Sequence, residues 1–246
     1  MMVSIICFEC GIGSDVRYPA DVDSNLFAQV QCPKGHKQVA GLKSFLHEAL
    51  FHSAIQSFVA GYYSESVLSF NASLERAYEH FVRVSLLQEG LPPDQTDIYW
   101  KELSKQSERQ YGAFCTQYYK VNAVPWGMNT KIVAFRNQVV HQGLIATRDE
   151  VAEYAEHVTK CHLKILKALK SKLSESLQAL AIIKDRREHD TREKFRAQGI
   201  GYVIYQPMEH IDIEVYVDEE LTFAEIVKRY SDWRTRSTAP TSATLP

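Results

Sequence analysis

The stretch Phe135-Arg136-Asn137-Gln138-Val139-Val140-His141 puts an arginine, an asparagine and a histidine within six residues, flanked by apolar positions. A guanidinium is always charged, and an imidazole titrates near neutral pH. Together they suit a phosphate ester: one holds the anion, the other moves a proton. RNA cleaves itself when its 2′-OH attacks the adjacent phosphorus. That reaction needs a base for the 2′-OH, a proton donor for the leaving 5′-oxygen, and positive charge on the developing phosphorane. His141 can be the base or the acid. Arg136 can grip the non-bridging oxygens bidentately. Asn137 has no proton to trade but can orient His141 or the phosphate. On a helix, Arg136 and His141 lie five apart, about 140° around the axis. Either Arg136 reaches round on its long side chain, or two copies of the helix face each other. The second arrangement predicts a two-fold homodimer, which would also supply one histidine as base and another as acid.

A second set of residues has metal-ligand spacing. Cys7-x2-Cys10 and Cys32-x3-His36 offer three thiols and an imidazole, and Gly35 lets the second knuckle turn. Apolar and polar residues alternate before each pair, as in short strands feeding tight turns. The unit, residues 1–41, resembles a zinc ribbon. Four protein ligands close the coordination sphere, so the Zn2+ would be structural, and none is expected for catalysis.

The elements that must position the motif are helical. Residues 42–59 carry Leu42, Phe45, Leu46, Ala49, Leu50 and Phe58 on one broad face. His47 and His52 lie here, as surface or interhelix polar groups. A second helix is predicted from about Ser64, its candidate cap, to Leu87, and Gly90-Leu91-Pro92-Pro93 ends it. Glu75, Glu79 and Arg83 share one face of it, either as a solvated ladder or in support of the site. A short helix is predicted over Asp97–Arg109. The aromatic-rich segment that follows, with Tyr111, Phe114, Tyr118, Tyr119 and Trp126, reads as core more readily than as a base-stacking platform. Asn129 is a candidate cap for the motif helix. Ile132, Phe135 and Val139 form its core face, and Gly143 ends it. Thr147-x-x-Glu150 is a capping box for a helical run from Val151 to about Phe195.

Arg136-Asn137-x-x-x-His141 matches the R-N-x-x-x-H motif of the HEPN superfamily, and residues 42–190 resemble a HEPN-like helical domain. The resemblance implies an all-α bundle with the motif on its penultimate long helix. It also implies a metal-independent endoribonuclease acting as a homodimer, of the kind found in toxin–antitoxin, antiviral-defence and RNA-processing systems. The family often carries a Glu-x3-Lys/Arg pair on an earlier helix, and Glu79 and Arg83 have that spacing.

The expected fold class is mainly α, a helical domain over 42–198 with the N-terminal ribbon. A C-terminal β-hairpin and short helix are predicted over 199–236, and a disordered tail over 237–246. The hairpin reading rests on period-two alternation in 201–205 and 211–217 around Gln206-Pro207-Met208. A Thr222-x-x-Glu225 box precedes the final helix.

The formal net charge is -2, so any nucleic-acid surface must be local. Between Lys160 and Arg196 there are eleven Lys or Arg and five Asp or Glu. From Glu209 to Glu225 there are seven acidic residues and no basic one. The basic run is either a solvated face or a phosphate-tracking surface. Five cysteines, two of them in a C-x2-C pair, favour metal or free thiols over a disulfide framework. No apolar run is long enough to span a bilayer, and Met1 to Ile6 is too short and uncharged for a signal peptide. The expected location is cytoplasmic, the expected partners RNA, a second copy, and an antitoxin or sensor protein that restrains the enzyme. The competing reading is a non-catalytic dimer, an adaptor for a nucleotide or a protein. In it Arg136 makes an ordinary ion pair with Glu75 or Glu79.

Overall fold

The computed structural model describes residues 2–10, 17–205 and 219–238. They fall into two compact units. The first draws on Met1–Phe45, Ile182–Met208 and Asp232–Pro246, the second on Leu46–Ala181 and Glu209–Ser231. Among the described residues the fold is mainly helical, with a small N-terminal β region and a later strand and helix.

In the first unit, β1 (Met2–Ile6) pairs antiparallel with β2 (Arg17–Asp21), and β3 (Phe27–Gln31) pairs antiparallel with β4 (Lys37–Leu42). Each metal-ligand pair follows directly on a strand, Cys7 after β1 and Cys32 after β3. The expected pattern of strands feeding tight turns is therefore present. Gln38, buried on β4, donates to the Ile6 carbonyl (2.6 Å) and accepts from the Phe8 backbone N–H (3.1 Å). This one amide ties the first knuckle to the second hairpin.

β5 (Gly201–Tyr205) lies parallel to β4, with Val39 opposite Tyr202. The partner strand of the predicted hairpin, 211–217, lies outside the described residues. Gly41 is required on β4: a Cβ there would come within 1.9 Å of the Tyr202 hydroxyl. Tyr202 is held in place by Phe27 (6.4 Å between ring centroids) and by Arg192, whose guanidinium lies 4.8 Å from its ring centre.

The second unit is built around α2 (Tyr63–Gln88). α1 (Leu46–Val59), α3 (Pro93–Leu103), α4 (Ser107–Asn122), α5 (Thr130–Gln142) and α6 (Arg148–Lys172) all pack on it. Its buried stripe includes Val67, Phe70, Leu74, Ala77, Phe81 and Val84. Several expected element boundaries need correction. Leu42 belongs to β4, and the first helix begins only at Leu46. Ser64 sits inside the first turn of α2 rather than capping it, its hydroxyl accepting from the Ala146 N–H (3.4 Å). Residues 95–128 hold two helices rather than one short one. α3 starts on Pro93, where a missing N–H costs nothing. Of the aromatic segment, Phe114 and Tyr118 are core, Phe114 fully buried and stacked on Tyr78 at 4.2 Å, while Tyr111 and Trp126 are half-buried and Tyr119 is exposed.

The run after Val151 is also two helices. α6 ends at Lys172, and α7 (Ser174–Ala197) follows after Leu173. α6 buries a full stripe that includes Val151, Tyr154, Val158, Ile165 and Leu169, whereas Ser176 is the one buried residue of α7. α8 (Phe223–Thr238) starts from the expected Thr222–Glu225 box, the Thr222 N–H donating to Glu225 at 2.8 Å, and runs beyond Trp233.

Candidate functional site

The motif helix is defined by its caps. The Asn129 side chain accepts from the Lys131 N–H (2.9 Å), which satisfies one of the orphan donors of the first turn. Gly143 closes the other end in the left-handed region at φ 72°. Ile132 and Val139 are buried, and Phe135 is half-buried against Tyr154 (5.8 Å). That apolar face fixes the rotation of α5. Arg136 and Asn137 are left half-buried and His141 exposed, all three lining one cavity of about 530 Å3. One chain therefore brings the three motif side chains to a common space despite their angular separation.

Sequence reasoning named Glu75 as a possible partner of Arg136 but missed Asn71, which holds it. Its Nε donates to Asn71 Oδ1 (2.9 Å) and its Nη1 to Asn137 Oδ1 (2.9 Å). Asn71 Nδ2 in turn donates to Glu75 Oε1 (2.9 Å), which lies 3.9 Å from Arg136 Nη2. Asn71 and Glu75 lie one turn apart on α2, so the guanidinium is aimed from two sides. Of its five N–H donors, these two hydrogen bonds use two. Nη2 faces Glu75 at 3.9 Å, beyond hydrogen-bond reach, so its N–H groups can still turn to an anion. Asn71 carries no motif signal in the sequence, because its partner is 65 residues away. Tyr154 lines the same cavity. Burial pushes its phenol well above the usual range, against the opposing pull of Arg136.

Glu79 and Arg83 pair with each other (2.7 Å) but lie outside this cavity lining. Arg83 also pairs with Asp97 of α3, and both Arg76 and Arg83 lie about 6 Å from the Trp100 ring centre (6.0 and 5.9 Å). Their first role is to dock α3 on α2. Glu79 reaches the cavity indirectly: it pairs with Arg76, whose Nη2 donates to Gln110 Oε1 (3.0 Å), and Gln110 is on the cavity wall.

The second site is the Cys/His cluster. The ligand atoms of Cys7, Cys10, Cys32 and His36 all lie within 4.8 Å of one another. Cys10 Sγ is 3.7 Å from Cys32 Sγ, and His36 Nδ1 is 3.7, 3.4 and 3.5 Å from Cys7, Cys10 and Cys32. A tetrahedron with Zn–S near 2.3 Å and Zn–N near 2.0 Å has S···S edges of about 3.8 Å and S···N edges of about 3.5 Å. The donor set fits a structural metal such as zinc in both chemistry and spacing. Burial and the neighbouring thiols of Cys7 and Cys32 push the Cys10 thiol up to about 11. For Cys32, burial acts upward, but hydrogen bonds from the backbone of His36 and Lys34 and from the Cys10 and Cys7 thiols together outweigh it and bring the thiol down to about 7. Three crowded thiols resist ionising together, and a dication among them removes that conflict. His36 Nε2 faces Glu9 at 3.8 Å, the usual way of leaving Nδ1 as the ligand atom.

A third cluster, in the second unit, was not foreseen. His47, His80 and His162 are buried together, with ring centroids 5.1 and 5.8 Å from His47. The Ser73 hydroxyl donates to the His47 carbonyl (2.6 Å), so at 3.0 Å it accepts from His162 Nε2–H. Nδ1 of His162 is then a buried lone pair with no hydrogen-bond partner among the described residues. Burial brings His80 down to about 4, with Arg83 adding to the effect, and His162 down to about 3. Burial lowers His47 as well, helped by its two neighbours. The available signal was that these histidines fall on apolar helix faces, His162 within the run Cys161-His162-Leu163.

Fold and sites define a mainly helical protein with an N-terminal Cys3His module suited to zinc. No family model, curated protein or solved structure compared with the chain matches it. No described helix is long and apolar enough to cross a membrane.

Proposed function

We propose that the protein is a metal-independent endoribonuclease of the HEPN type, acting as a toxin or antiviral-defence effector. The observation that carries this reading is the convergence of Arg136, Asn137 and His141 on one cavity, with Arg136 held by Asn71 and three of its N–H donors outside its hydrogen bonds. In the proposed reaction His141 takes the proton of the 2′-OH. The 2′-oxygen bonds to phosphorus, the bond from phosphorus to the 5′-oxygen breaks, and the leaving oxygen gains a proton from a general acid. Arg136 neutralises the charge that builds on the non-bridging oxygens. Asn137, hydrogen-bonded to Arg136, keeps that group in register. A two-fold homodimer supplies the second histidine as the acid. The exposed Lys160, Lys164 and Lys170 of α6, in the same unit as the cavity, are the candidate phosphate contacts for the flanking RNA. Zinc in the Cys3His module supports the fold and takes no part in the reaction.

The test is cleavage of RNA in the presence of a chelator. The wild-type chain is expected to leave 2′,3′-cyclic phosphate ends. His141→Ala is expected to lose about a hundredfold or more in rate, the usual worth of a general base. Growth arrest in cells expressing the wild type but not His141→Ala would identify the toxin role.

A second reading has its own observation. The partial neutralisation of Arg136 by Glu75 at 3.9 Å is what a non-catalytic dimerisation or adaptor module would also show. An Arg136→Ala, His141→Ala double variant that retains its cellular function would favour that reading.

A further inference from the structure

The cavity extends well beyond the three motif residues. Besides Arg136, Asn137 and His141 its lining includes three tyrosines and a methionine: Tyr78 and Tyr154 are buried, and Tyr111 and Met128 are half-buried. The Tyr78 hydroxyl donates to Met128 Sδ (3.1 Å), and the Tyr78 and Tyr111 rings lie 5.7 Å apart. At about 530 Å3 the space is in the range that encloses a small organic ligand. It is far more than a phosphate group needs. A cation and an imidazole sharing one cavity with three tyrosines match a ligand that has an anionic group and a flat apolar body. A nucleotide has that shape, since every base offers a π-face to stack on.

We infer that this cavity is a nucleobase subsite, seating the base of the nucleotide whose 3′-phosphate lies on Arg136, with Tyr111 as its adaptable wall. The assignment rests on the ribonuclease reading for the direction of the phosphate, but binding itself is independent of cleavage. Tyr78 and Tyr154 are fixed in the core by α2 and α6. Tyr111 stands near the start of α4, where Gln110 is anchored by Arg76, and of the three it is the ring a ligand can meet with least disturbance of the fold. The subsite would make cleavage sensitive to the base on the 5′ side of the scissile phosphate.

The probes are adenosine 3′-monophosphate and inorganic phosphate, titrated into the intact protein by calorimetry. The nucleotide is expected to bind at least about tenfold more tightly than phosphate, the lower part of what one stacked base contributes. Tyr111→Ala is expected to remove that advantage while leaving phosphate affinity unchanged, and Arg136→Ala to weaken both ligands. If Tyr111→Ala fails to fold, Tyr111→Leu keeps the bulk, loses the π-face, and should show the same loss. A nucleotide that binds no more tightly than phosphate, or an affinity indifferent to Tyr111, overturns the subsite. The two readings separate cleanly. Intact RNA with Tyr111-dependent nucleotide binding removes the ribonuclease and leaves the subsite. Cleaved RNA with Tyr111-independent binding does the reverse.

Discussion

Arg136 gains its meaning from a residue that no motif names. Its side chain is long enough to point almost anywhere, and Asn71 selects one direction by accepting from Nε. Asn71→Ala leaves α5 and its caps intact but releases the guanidinium. The expected effect on RNA cleavage is a fall in kcat of about ten- to a hundredfold with little change in KM, because orientation is lost while the charge stays. Equal losses in Asn71→Ala and Asn71→Asp would contradict a role for this hydrogen bond, since aspartate can still accept from Nε. The motif itself was legible: Asn129, Gly143 and the Thr147–Glu150 pair mark helix ends by chemistry that is local in sequence. Asn71 was not, because nothing local links it to residue 136, whereas Glu75 is one of two acidic partners expected for Arg136 in the adaptor reading. Glu79 and Arg83, by contrast, have a suggestive spacing and spend it on docking α3 through Asp97.

At the scale of elements, α2 is the organising helix, and the histidines it shares with α1 and α6 set a pH limit on the second unit. His80 and His162 are held near 4 and 3, below the ordinary 6.5. The unfolded chain therefore binds more protons than the folded one once the pH drops below about 6.5. Stability is full above that value and falls as the pH is lowered toward 4, by about 1.4 kcal/mol per pH unit for each such histidine. The helical signal should melt at clearly lower temperature at pH 5 than at pH 7.5, and the gap should narrow in His80→Leu. A melting temperature unchanged between these two pH values would contradict the burial of neutral imidazoles. The sequence did reveal where most helices lie, because their apolar periods and caps are local. It did not reveal the break at Leu173, where neither glycine nor proline marks the end of α6. Nor did it show that β5 would lie parallel to β4, a pairing that joins Val39 to Tyr202. Gly41 is the trace of that pairing in the sequence. Gly41→Val is expected to displace Tyr202 and loosen β4 from β5, seen as faster amide exchange in 201–205 than in wild type.

For the molecule as a whole, the two compact units each hold one of the two candidate sites. The first contains the Cys3His cluster, the second the motif cavity, and all the residues of each site come from a single unit. The cluster was readable because two short ligand pairs carry their own turns. Metal analysis is expected to find one zinc per chain, reduced to background in Cys32→Ser, and chelation should lower the stability of the strands that feed the knuckles. A metal content unaffected by Cys32→Ser would rule out this coordination set.

The central claim is that Arg136 and His141 line the cavity in order to cleave RNA. It is tested most directly by incubating the purified protein with a mixed RNA in chelator and analysing the ends. Fragments ending in 2′,3′-cyclic phosphate from the wild type, and almost none from a correctly folded His141→Ala, are the predicted result. RNA left intact by the wild type, or cut equally by His141→Ala, would contradict it.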